Sequence, residues 1–477
     1  MAVNKPCVIF SASDIGGEVG ANAGGCTLDA WEACGHNASL FMGALGGPKY
    51  FRTGIAQISL GDGENCQLGS TGIGIGTTPG TLVRIADNAT YSGIYELLTV
   101  VNDGAVTINL PLPPGSPSQD VSCYVGGAFA GLQNALDADA SDASVGSRII
   151  KYRDADNLLQ IANASLDIDA GSAALGGYFK TIEACDEDFE PLAVGSYCTV
   201  ERTGDGGYVI KLGNSNLRVS GFHAKGFGTA NGNYGFGFAA GGTWHNLCLE
   251  NCKTSNCYVG VYDVLGSVAC KGLALYNCRI EAGSYGILVY SGSYIDHIVN
   301  CYISAGVTGV AVYVATHCPT FTRCIFVAYD ANCQAASVAT NGGRIHFEGC
   351  TFYGHKSFAI ENKSTAGGTT VVRNCIFWLA TASENTFQGS NQGNIVDAGY
   401  NFTNATVPVT TSAGTINRGF DHPASRSGLT VDPFVNAAGE DFRIKPAMLR
   451  DFAGSECRGV WQAAGAVPHF KYGQIIG

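Results

Sequence analysis

Cysteine is the residue type in this chain that most readily suggests metal chemistry. His245, Cys248, Cys252 and Cys257 follow one another at intervals of three, four and five residues, and histidine with cysteine thiolates is a ligand set that binds zinc. The intervals differ from the usual arrangement of two closely spaced ligand pairs. Free cysteine is also among the residue types most often buried. We therefore expect these thiols to pack in a core, and we predict neither a metal nor another cofactor.

Carboxylates are the second candidate for chemistry, because glycoside hydrolysis needs two acidic side chains about 5 to 9.5 Å apart on one exposed face. Glu281 and Asp296 are candidates for such a pair, and Asp263 is a third candidate acid. A lyase would instead need a basic residue together with acids that bind a cation. No acidic motif recurs at a fixed position, so the sequence favours a solvated surface over an active site. A polysaccharide lyase or glycoside hydrolase stays open as the alternative.

Tyrosines form the third candidate group. Tyr262, Tyr290 and Tyr313 lie within one tyrosine-rich stretch of the chain. Exposed tyrosines can stack on sugar rings, and they can equally fill an interface between subunits. Ordinary strand composition is a further explanation, because tyrosine favours sheets. We predict these three residues as contacts for a glycan or for a second subunit.

An internal repeat predicts the elements that position these side chains. Turn-forming residues recur at intervals of 23 to 30 residues, beginning at Gly221, and apolar and polar residues alternate before each one. That alternation is typical of a strand, and asparagine and glycine tolerate the left-handed backbone of a sharp bend. The residue after the bend should return to the core. Six bends are followed by cysteine: Asn251–Cys252, Asn277–Cys278, Asn300–Cys301, Arg323–Cys324, Gly349–Cys350 and Asn374–Cys375.

This repeat length, with several short strands in each unit, predicts an all-β chain with a right-handed parallel β-helix over residues 146–446. Residues 1–120 are predicted to form a small β-rich attachment module, and residues 447–477 a C-terminal tail. Residues 121–145 are predicted as a linker and a capping helix, with Phe129, Leu132 and Leu136 on one helical face. Such a helix would cover strand edges that the end of a solenoid otherwise exposes.

Composition excludes several classes of function. The formal net charge is −12 and the 27 basic residues are scattered, whereas nucleic-acid binding needs clustered lysine and arginine. No run of 18 apolar residues exists, so we expect no membrane insertion. The first residues lack the apolar segment of a signal peptide. The 19 cysteines are odd in number and cannot all pair within the chain, which favours folding in a reducing cytoplasm.

Two segments carry a family resemblance. VDPFVNAAGEDFRIKP, at residues 431–446, resembles the closing coil of right-handed β-helix repeat proteins of the pectate-lyase-like superfold. YVGGAFAGLQNALDAD, at residues 124–139, resembles the N-terminal portions of some phage virion proteins, in which a small β domain leads into a capped β-helix. This superfold includes pectin-cleaving enzymes, phage tailspikes and non-catalytic adhesins, so the fold alone does not choose among them.

The resemblance implies a virion structural protein: a phage appendage, fibre, spike or decoration subunit that uses the β-helix as a rigid rod or assembly surface. Such a protein would form a homotrimer, attach to other virion proteins through its N-terminal module, and contact a glycan of the host surface. It would be made in the host cytoplasm and released by lysis. Two alternatives stay open, a polysaccharide-degrading tailspike-type enzyme and a cell-surface glycan-binding adhesin.

Overall fold

A computed structural model describes the chain from residue 7 to residue 445, with gaps. The undescribed positions within that range are 13–24, 42–49, 61–64, 72, 75, 87–89, 112–118, 142–146, 155, 162–164, 169–178, 205, 214, 239–242, 263–268, 290–293, 314–318, 329–333, 340–343, 357, 363–367, 382, 384, 390–393, 407–408 and 412–421. The chain forms two compact units. The first comprises Met1–Leu192, Tyr197–Leu275 and Arg279–Ile295, and the second comprises Ala193–Ser196, Tyr276–Cys278 and Asp296–Gly477.

The first unit begins with two strands and two short helices. These are β1 (Cys7–Ala12), β2 (Gly25–Thr27), α1 (Leu28–Ala33) and a 3-10 helix (Ala38–Leu40). The hydroxyl of Thr27 accepts a hydrogen bond from the backbone N–H of Ala30 at 3.4 Å, which caps α1. β2 pairs with β1 in antiparallel orientation.

Six antiparallel strands then close a barrel in the order β3-β4-β7-β6-β5-β8. Their bounds are β3 (Tyr50–Leu60), β4 (Cys66–Gly69), β5 (Leu82–Ala86), β6 (Gly93–Asn102), β7 (Ala105–Ile108) and β8 (Gln119–Val125). Alternating apolar residues point into the barrel, among them Leu68, Val83, Leu97 and Val106, and all four are buried. β9 (Phe129–Ala130) and α2 (Leu132–Ser141) follow the barrel.

The rest of the first unit consists of coils that each contribute a strand to three parallel sheets. The first sheet contains β10 (Arg148–Arg153), β13 (Lys180–Cys185), β16 (Leu217–Ser220), β19 (Thr243–Glu250) and β22 (Ala269–Tyr276). The second contains β11 (Leu158–Ile161), β14 (Cys198–Arg202), β17 (Phe222–Lys225), β20 (Lys253–Ser255) and β23 (Arg279–Ala282). The third contains β12 (Leu166–Ile168), β15 (Gly207–Leu212), β18 (Asn233–Phe238), β21 (Val259–Tyr262) and β24 (Tyr285–Val289).

The second unit has the same three-sheet coils. Its first sheet contains β25 (Tyr294–Val299), β28 (Thr320–Thr322), β31 (Arg344–Glu348), β34 (Thr369–Arg373) and β37 (Asn394–Asp397). Its second contains β26 (Tyr302–Ala305), β29 (Ile325–Ala328), β32 (Thr351–Tyr353), β35 (Ile376–Trp378) and β38 (Phe402–Thr403). Its third contains β27 (Thr308–Tyr313), β30 (Gln334–Ala339), β33 (Phe358–Asn362), β36 (Asn385–Gly389) and β39 (Val409–Thr411). This architecture confirms the predicted all-β chain with a parallel β-helix.

The bend between the first and second sheets has the same backbone conformation in seven successive coils. Its φ angle is positive, as a left-handed residue requires. The angles are 78° at Gly221, 45° at Asn251, 54° at Asn277, 53° at Asn300, 54° at Arg323, 63° at Gly349 and 53° at Asn374. Arg323 is the one residue of these seven that is neither asparagine nor glycine. The left-handed conformation costs such a residue roughly 1–2 kcal/mol.

We expect Arg323→Asn to raise the free energy of unfolding by about 0.5–1 kcal/mol. Asparagine adopts the left-handed region more readily, and it would also extend a row of amides. Asn300 Nδ2 donates to Asn277 Oδ1 at 3.3 Å, whereas Asn300 Oδ1 is buried and has no hydrogen-bond partner among the described residues. Urea unfolding would measure the gain. Arg323→Ala is the control, because it has no amide, and an equal gain there would contradict this explanation.

The helix near the start of the solenoid differs from its prediction. α2 packs against β1, β9, β10 and β12, and Leu132 and Leu136 are buried on it. Phe129 belongs to β9 instead of the predicted helical face. Gly126, Gly127 and Gly131 have φ angles of 61°, 88° and 110°, which no α-helix contains, so the helix cannot begin before Leu132.

The predicted module of residues 1–120 also has different limits. β1 lies outside the barrel and pairs in parallel with β10, with Val8 opposite Ile149, while the barrel continues to Val125. Every residue of β1 is buried, so this strand needs packing partners on both faces, which a sheet interior provides. The residues predicted as a C-terminal tail lie outside the described residues.

The segment that resembles a closing coil forms a hairpin instead. β40 (Phe434–Asn436) and β41 (Asp441–Ile444) are antiparallel, with a 3-10 helix (Ala437–Gly439) between them. Phe434 and Phe442 are buried and pack against outward residues of the second sheet of the second unit, including Tyr353 and Trp378. The hairpin therefore covers the side of this sheet, because apolar residues point outward there and need a partner.

Candidate functional site

The second sheet of the first unit presents an outward surface of charged and hydroxyl side chains. Alternation directs Phe222, Ala224 and Thr254 into the core, so the residues between them point outward. Parallel register then aligns the outward residues of successive strands in two rows. We call this surface the polar face, and it consists of Gln160, Thr199, Glu201, His223, Lys225, Lys253, Ser255, Arg279 and Glu281.

His223 lies at the centre of the polar face and contacts a hydroxyl on each side. Its Nε2 is 2.7 Å from the Oγ of Ser255, and its Nδ1 is 3.3 Å from the Oγ1 of Thr199. The ring of Tyr197 lies 6.2 Å from the imidazole, centroid to centroid. The imidazole is therefore fixed between neighbouring strands, with its two nitrogens facing two different hydroxyls.

The surroundings of His223 keep its imidazole neutral at pH 7. Burial is the largest cause, and the ammonium groups of Lys253 and Lys225 add to it, so the pKa of His223 falls from 6.5 to about 4. The carboxylate of Glu201 acts in the opposite direction but is the weaker influence. A neutral imidazole can accept a proton from a neighbouring hydroxyl, which a charged imidazolium cannot do.

Three cations share two carboxylates on the polar face. Lys225 Nζ lies 2.7 Å from Glu201 Oε1, and this hydrogen bond lowers the pKa of Glu201. Arg279 Nε donates to Glu281 Oε1 at 2.6 Å, and Lys253 Nζ lies 3.7 Å from Glu281 Oε2. Each half-exposed ion pair of this kind stabilises the folded protein by about 0–1 kcal/mol. A carboxylate from outside can therefore compete for the same cations.

The depressed pKa of His223 predicts loss of stability in acid. Unfolded His223 takes up a proton near pH 6.5, and the folded chain does so only near pH 4, so stability falls as the pH drops through this window. We expect His223→Gln to reduce the difference in urea midpoint between pH 7 and about pH 4.5. His297→Gln, at an exposed position, is the control and should leave the difference unchanged. An unaltered difference in His223→Gln would contradict the assignment.

Of the acidic residues predicted from sequence, Glu281 alone lies on the polar face within the described part of the chain. Glu281 is on the polar face, Asp296 is exposed on β25 in the second unit, and Asp263 lies outside the described residues. Glu201 and Glu281 are three strands apart, which is about 14 Å at the usual strand spacing. That distance exceeds the roughly 9.5 Å limit for a glycosidase pair.

Tyr262 lies in a cluster of tyrosines on the third sheet of the first unit. Its ring stacks on Tyr234 at 4.2 Å with 12° between the planes, and Tyr208 lies 5.3 Å from Tyr234. One face of the Tyr262 ring is thus covered by protein and is closed to a sugar. Tyr290 lies outside the described residues, as does the side chain of Tyr313.

The cysteines after the bends are fully buried in the solenoid core. These are Cys252, Cys278, Cys301, Cys324, Cys350 and Cys375. Burial raises the pKa of Cys248 and Cys257 to about 12, so both are protonated thiols at pH 7. His245 is exposed. Among the residues that the structure describes, no group of three or more His, Cys, Asp or Glu side chains is arranged to hold a metal.

A comparison with known protein families supports the β-helix fold of the coils. Residues 193–377 match the family model described as a right handed beta helix region. The chain contains a right-handed β-helix. This match confirms the β-helix predicted from the repeat, and no curated protein matches the sequence. Within the described part of the chain, no helix has the length and apolar character needed to span a membrane.

Solved β-helix structures share little sequence with this chain. Alginate lyase from Paenibacillus sp. str. FPU-7 is 15% identical over 62% of this chain and 95% of its own, with a TM-score of 0.30. The tailspike protein gp49 from Acinetobacter baumannii bacteriophage Fri1, a capsular polysaccharide depolymerase, is 13% identical over 82% and 76%, with a TM-score of 0.36. The catalytic domain of a GH87 α-1,3-glucanase is 11% identical over 81% and 87%, with a TM-score of 0.32.

Proposed function

We propose that this protein is a virion appendage subunit whose β-helix binds an acidic glycan of the host surface through the polar face. The observation that carries the proposal is the alignment of Lys225, Lys253 and Arg279 with hydroxyl groups on one outward surface. Arginine and lysine donate charge-assisted hydrogen bonds to carboxylates. Thr199 and Ser255 add hydroxyls that can exchange hydrogen bonds with sugar hydroxyls.

The outward surface of the second sheet is mostly apolar in the second unit, in contrast to the polar face of the first unit. Its outward residues include Tyr302, Ile325 and Ile376, which pack under Phe434 and Phe442 of the hairpin. The hydroxyl of Tyr302 also donates to Glu440 Oε1 at 2.9 Å. In the second unit this outward surface is thus apolar and covered by the hairpin. The corresponding surface in the first unit is charged and half-exposed, which favours a role in binding.

Charge also predicts which glycans bind. The whole chain has a formal charge of −12, so long-range repulsion opposes a polyanion, and attraction must come from cations close to the ligand. Such contacts weaken as salt screens them over about 8–10 Å. We therefore expect selective binding of carboxylated polysaccharides, with affinity that decreases as ionic strength rises.

A polysaccharide binding screen tests the glycan part of this proposal. We expect the full chain to bind at least one of polygalacturonate, alginate and hyaluronate, and to bind neutral dextran more weakly. The control is the chain unfolded in urea and spotted at the same density. Equal binding of neutral and carboxylated polysaccharides, or binding of neither, would contradict recognition by the polar face.

The virion part of the proposal is supported by the number of cysteines. The 19 cysteines are odd in number and cannot all pair within the chain, which is compatible with folding in a reducing cytoplasm and release by lysis. Attachment through the N-terminal barrel and assembly as a homotrimer are further parts of the proposal. Peptide mass spectrometry of purified particles from the source culture should find this chain in a fixed, multi-copy ratio to the major shell protein. Its absence from particles would contradict a virion location.

A further inference from the structure

We infer that Ser255 and His223 hydrolyse ester groups on the bound glycan, with Ser255 as the nucleophile and His223 as its general base. The substrate class is an O-acylated polysaccharide, and the inference rests on the proposed binding of a glycan at the polar face. The Oγ of Ser255 and the Nε2 of His223 are 2.7 Å apart, which is the distance that proton transfer between them requires.

The register of two strands explains how these side chains meet. His223 and Lys225 are outward residues of β17, and Lys253 and Ser255 are outward residues of β20. His223 pairs with Lys253, and Lys225 pairs with Ser255. The four residues thus occupy the corners of a rectangle about 4.8 Å wide and about 6.6 Å long. The imidazole crosses the diagonal of the rectangle to reach the hydroxyl of Ser255.

Thr199 can accept the hydrogen bond that the tautomer needed for the reaction would donate. When Nδ1 carries the hydrogen, it donates to the Oγ1 of Thr199 at 3.3 Å, and Nε2 is left free to accept the proton of Ser255. Serine hydrolases commonly use a carboxylate to orient the histidine. A hydroxyl supplies orientation without the charge, so Thr199 is a positioning residue here. Its loss should lower kcat and leave KM for the ester nearly unchanged.

The two lysines of the rectangle supply positive charge where negative charge develops. Attack on an ester carbonyl converts its oxygen to an oxyanion, and nearby cations stabilise that oxyanion. Lys225 lies opposite Ser255 on the neighbouring strand, and Lys253 lies two residues before Ser255 on the same face. The same ammonium groups lower the pKa of His223, and Glu201 counteracts them. Pairing with a carboxylate of the glycan would weaken this effect and make the imidazole a stronger base.

The reaction balances without a cofactor. Ser255 Oγ bonds to the acyl carbon as its proton passes to His223 Nε2, and the bond between the acyl carbon and the sugar oxygen breaks. The sugar oxygen leaves with that proton as a hydroxyl. Water then attacks the acyl-serine as His223 takes one of its protons and returns it to Ser255. The products are a free carboxylic acid and a deacylated glycan.

The test uses the full chain with 4-nitrophenyl acetate and with O-acetylated polygalacturonate. We expect Ser255→Ala to reduce hydrolysis to the uncatalysed rate, and His223→Gln to reduce it by about 10²-fold or more. Ser220→Ala is the matched control, because Ser220 is a half-buried serine on β16 in the first sheet of the same unit, and its rate should equal that of the wild type. Thr199→Val should lower kcat while KM stays constant.

A covalent label gives a second readout that does not depend on turnover. A fluorophosphonate should modify Ser255 in the native chain, as located by peptide mass spectrometry, and should not modify it in urea. Absence of both labelling and Ser255-dependent hydrolysis, with binding of polygalacturonate intact, would overturn this inference alone. Ser255-dependent hydrolysis of 4-nitrophenyl acetate without any polysaccharide binding would support the Ser255–His223 chemistry and overturn the proposed glycan function.

Discussion

Phe352→Ala is expected to lower the free energy of unfolding by about 3–5 kcal/mol. The Phe352 ring is fully buried between Phe326 and Phe377, whose centroids lie 4.9 and 4.5 Å away with nearly parallel planes. Truncation removes both stacking contacts and leaves a cavity that the rigid coils on either side cannot fill. Urea unfolding followed by far-UV circular dichroism would measure the loss.

Val307→Ala is the control for this prediction. Val307 is 45% exposed and lies in the same unit, so its truncation should change the free energy of unfolding by less than about 0.5 kcal/mol. A loss of under about 1 kcal/mol in Phe352→Ala would show that the aromatic stack does not stabilise the solenoid in the way described.

Lys151→Met should destabilise the first unit by about 3 kcal/mol, because it leaves a buried carboxylate without its closest partner. Lys151 Nζ lies 3.2 Å from Glu183 Oε2, and both side chains are about 6% exposed. The ammonium also donates to the carbonyl of Phe189 at 2.9 Å and lies 5.5 Å from the Trp31 ring. Arg218 stays near Glu183, but at 3.7 Å. Tryptophan fluorescence during urea unfolding would measure the change.

Two further variants distinguish the effect of the buried Glu183 charge from the effect of the packing lost with Lys151. Adding Glu183→Gln to Lys151→Met should recover most of the stability, because a neutral amide is less costly to bury than a carboxylate that has lost the Lys151 ammonium. Arg443→Met removes the exposed ion pair with Asp441 and should change stability by less than about 1 kcal/mol. If the double variant were as unstable as Lys151→Met, the buried charge of Glu183 could not be the cause.

The repeat was predictable because short-range backbone chemistry determines it. Each bend needs a left-handed residue, and the sequence supplies asparagine or glycine at nearly every one, followed by an apolar residue that re-enters the core. Arg323 was recognised as a bend only because its neighbours fitted the pattern. Such signals occupy a few adjacent residues and survive variation in the length of the intervening turns.

The sequence predicts whether an outward surface is polar or apolar, but it does not predict which element covers that surface. The outward residues that follow the core residue after each bend change along the chain from His223, Lys253 and Arg279 to the mostly apolar series Tyr302, Ile325, Thr351 and Ile376. That change indicates a polar surface followed by an apolar one. It does not indicate that the covering element is a hairpin more than 50 residues beyond Ile376.

The contact between His223 and Ser255 depends on register that sequence alone does not determine. The two residues are 32 positions apart, and the spacing between successive bends varies from 23 to 30 residues. An uncertainty of one residue in the pairing would direct Ser255 into the core. Likewise, the pairing of β1 with β10 joins residues more than 130 positions apart, and no local pattern predicts it.

Isothermal titration calorimetry of the wild type and of Lys225→Ala/Lys253→Ala with the carboxylated polysaccharide that binds tightest would test most directly whether the polar face is the glycan surface. Both variants must first show wild-type circular dichroism. We predict at least about a 10-fold weaker affinity for the double variant, equivalent to about 1.4 kcal/mol, and a smaller dependence on salt. Lys211→Ala, which removes a lysine of the third sheet that pairs with Asp167, should bind like the wild type. Unchanged affinity in Lys225→Ala/Lys253→Ala would contradict the account.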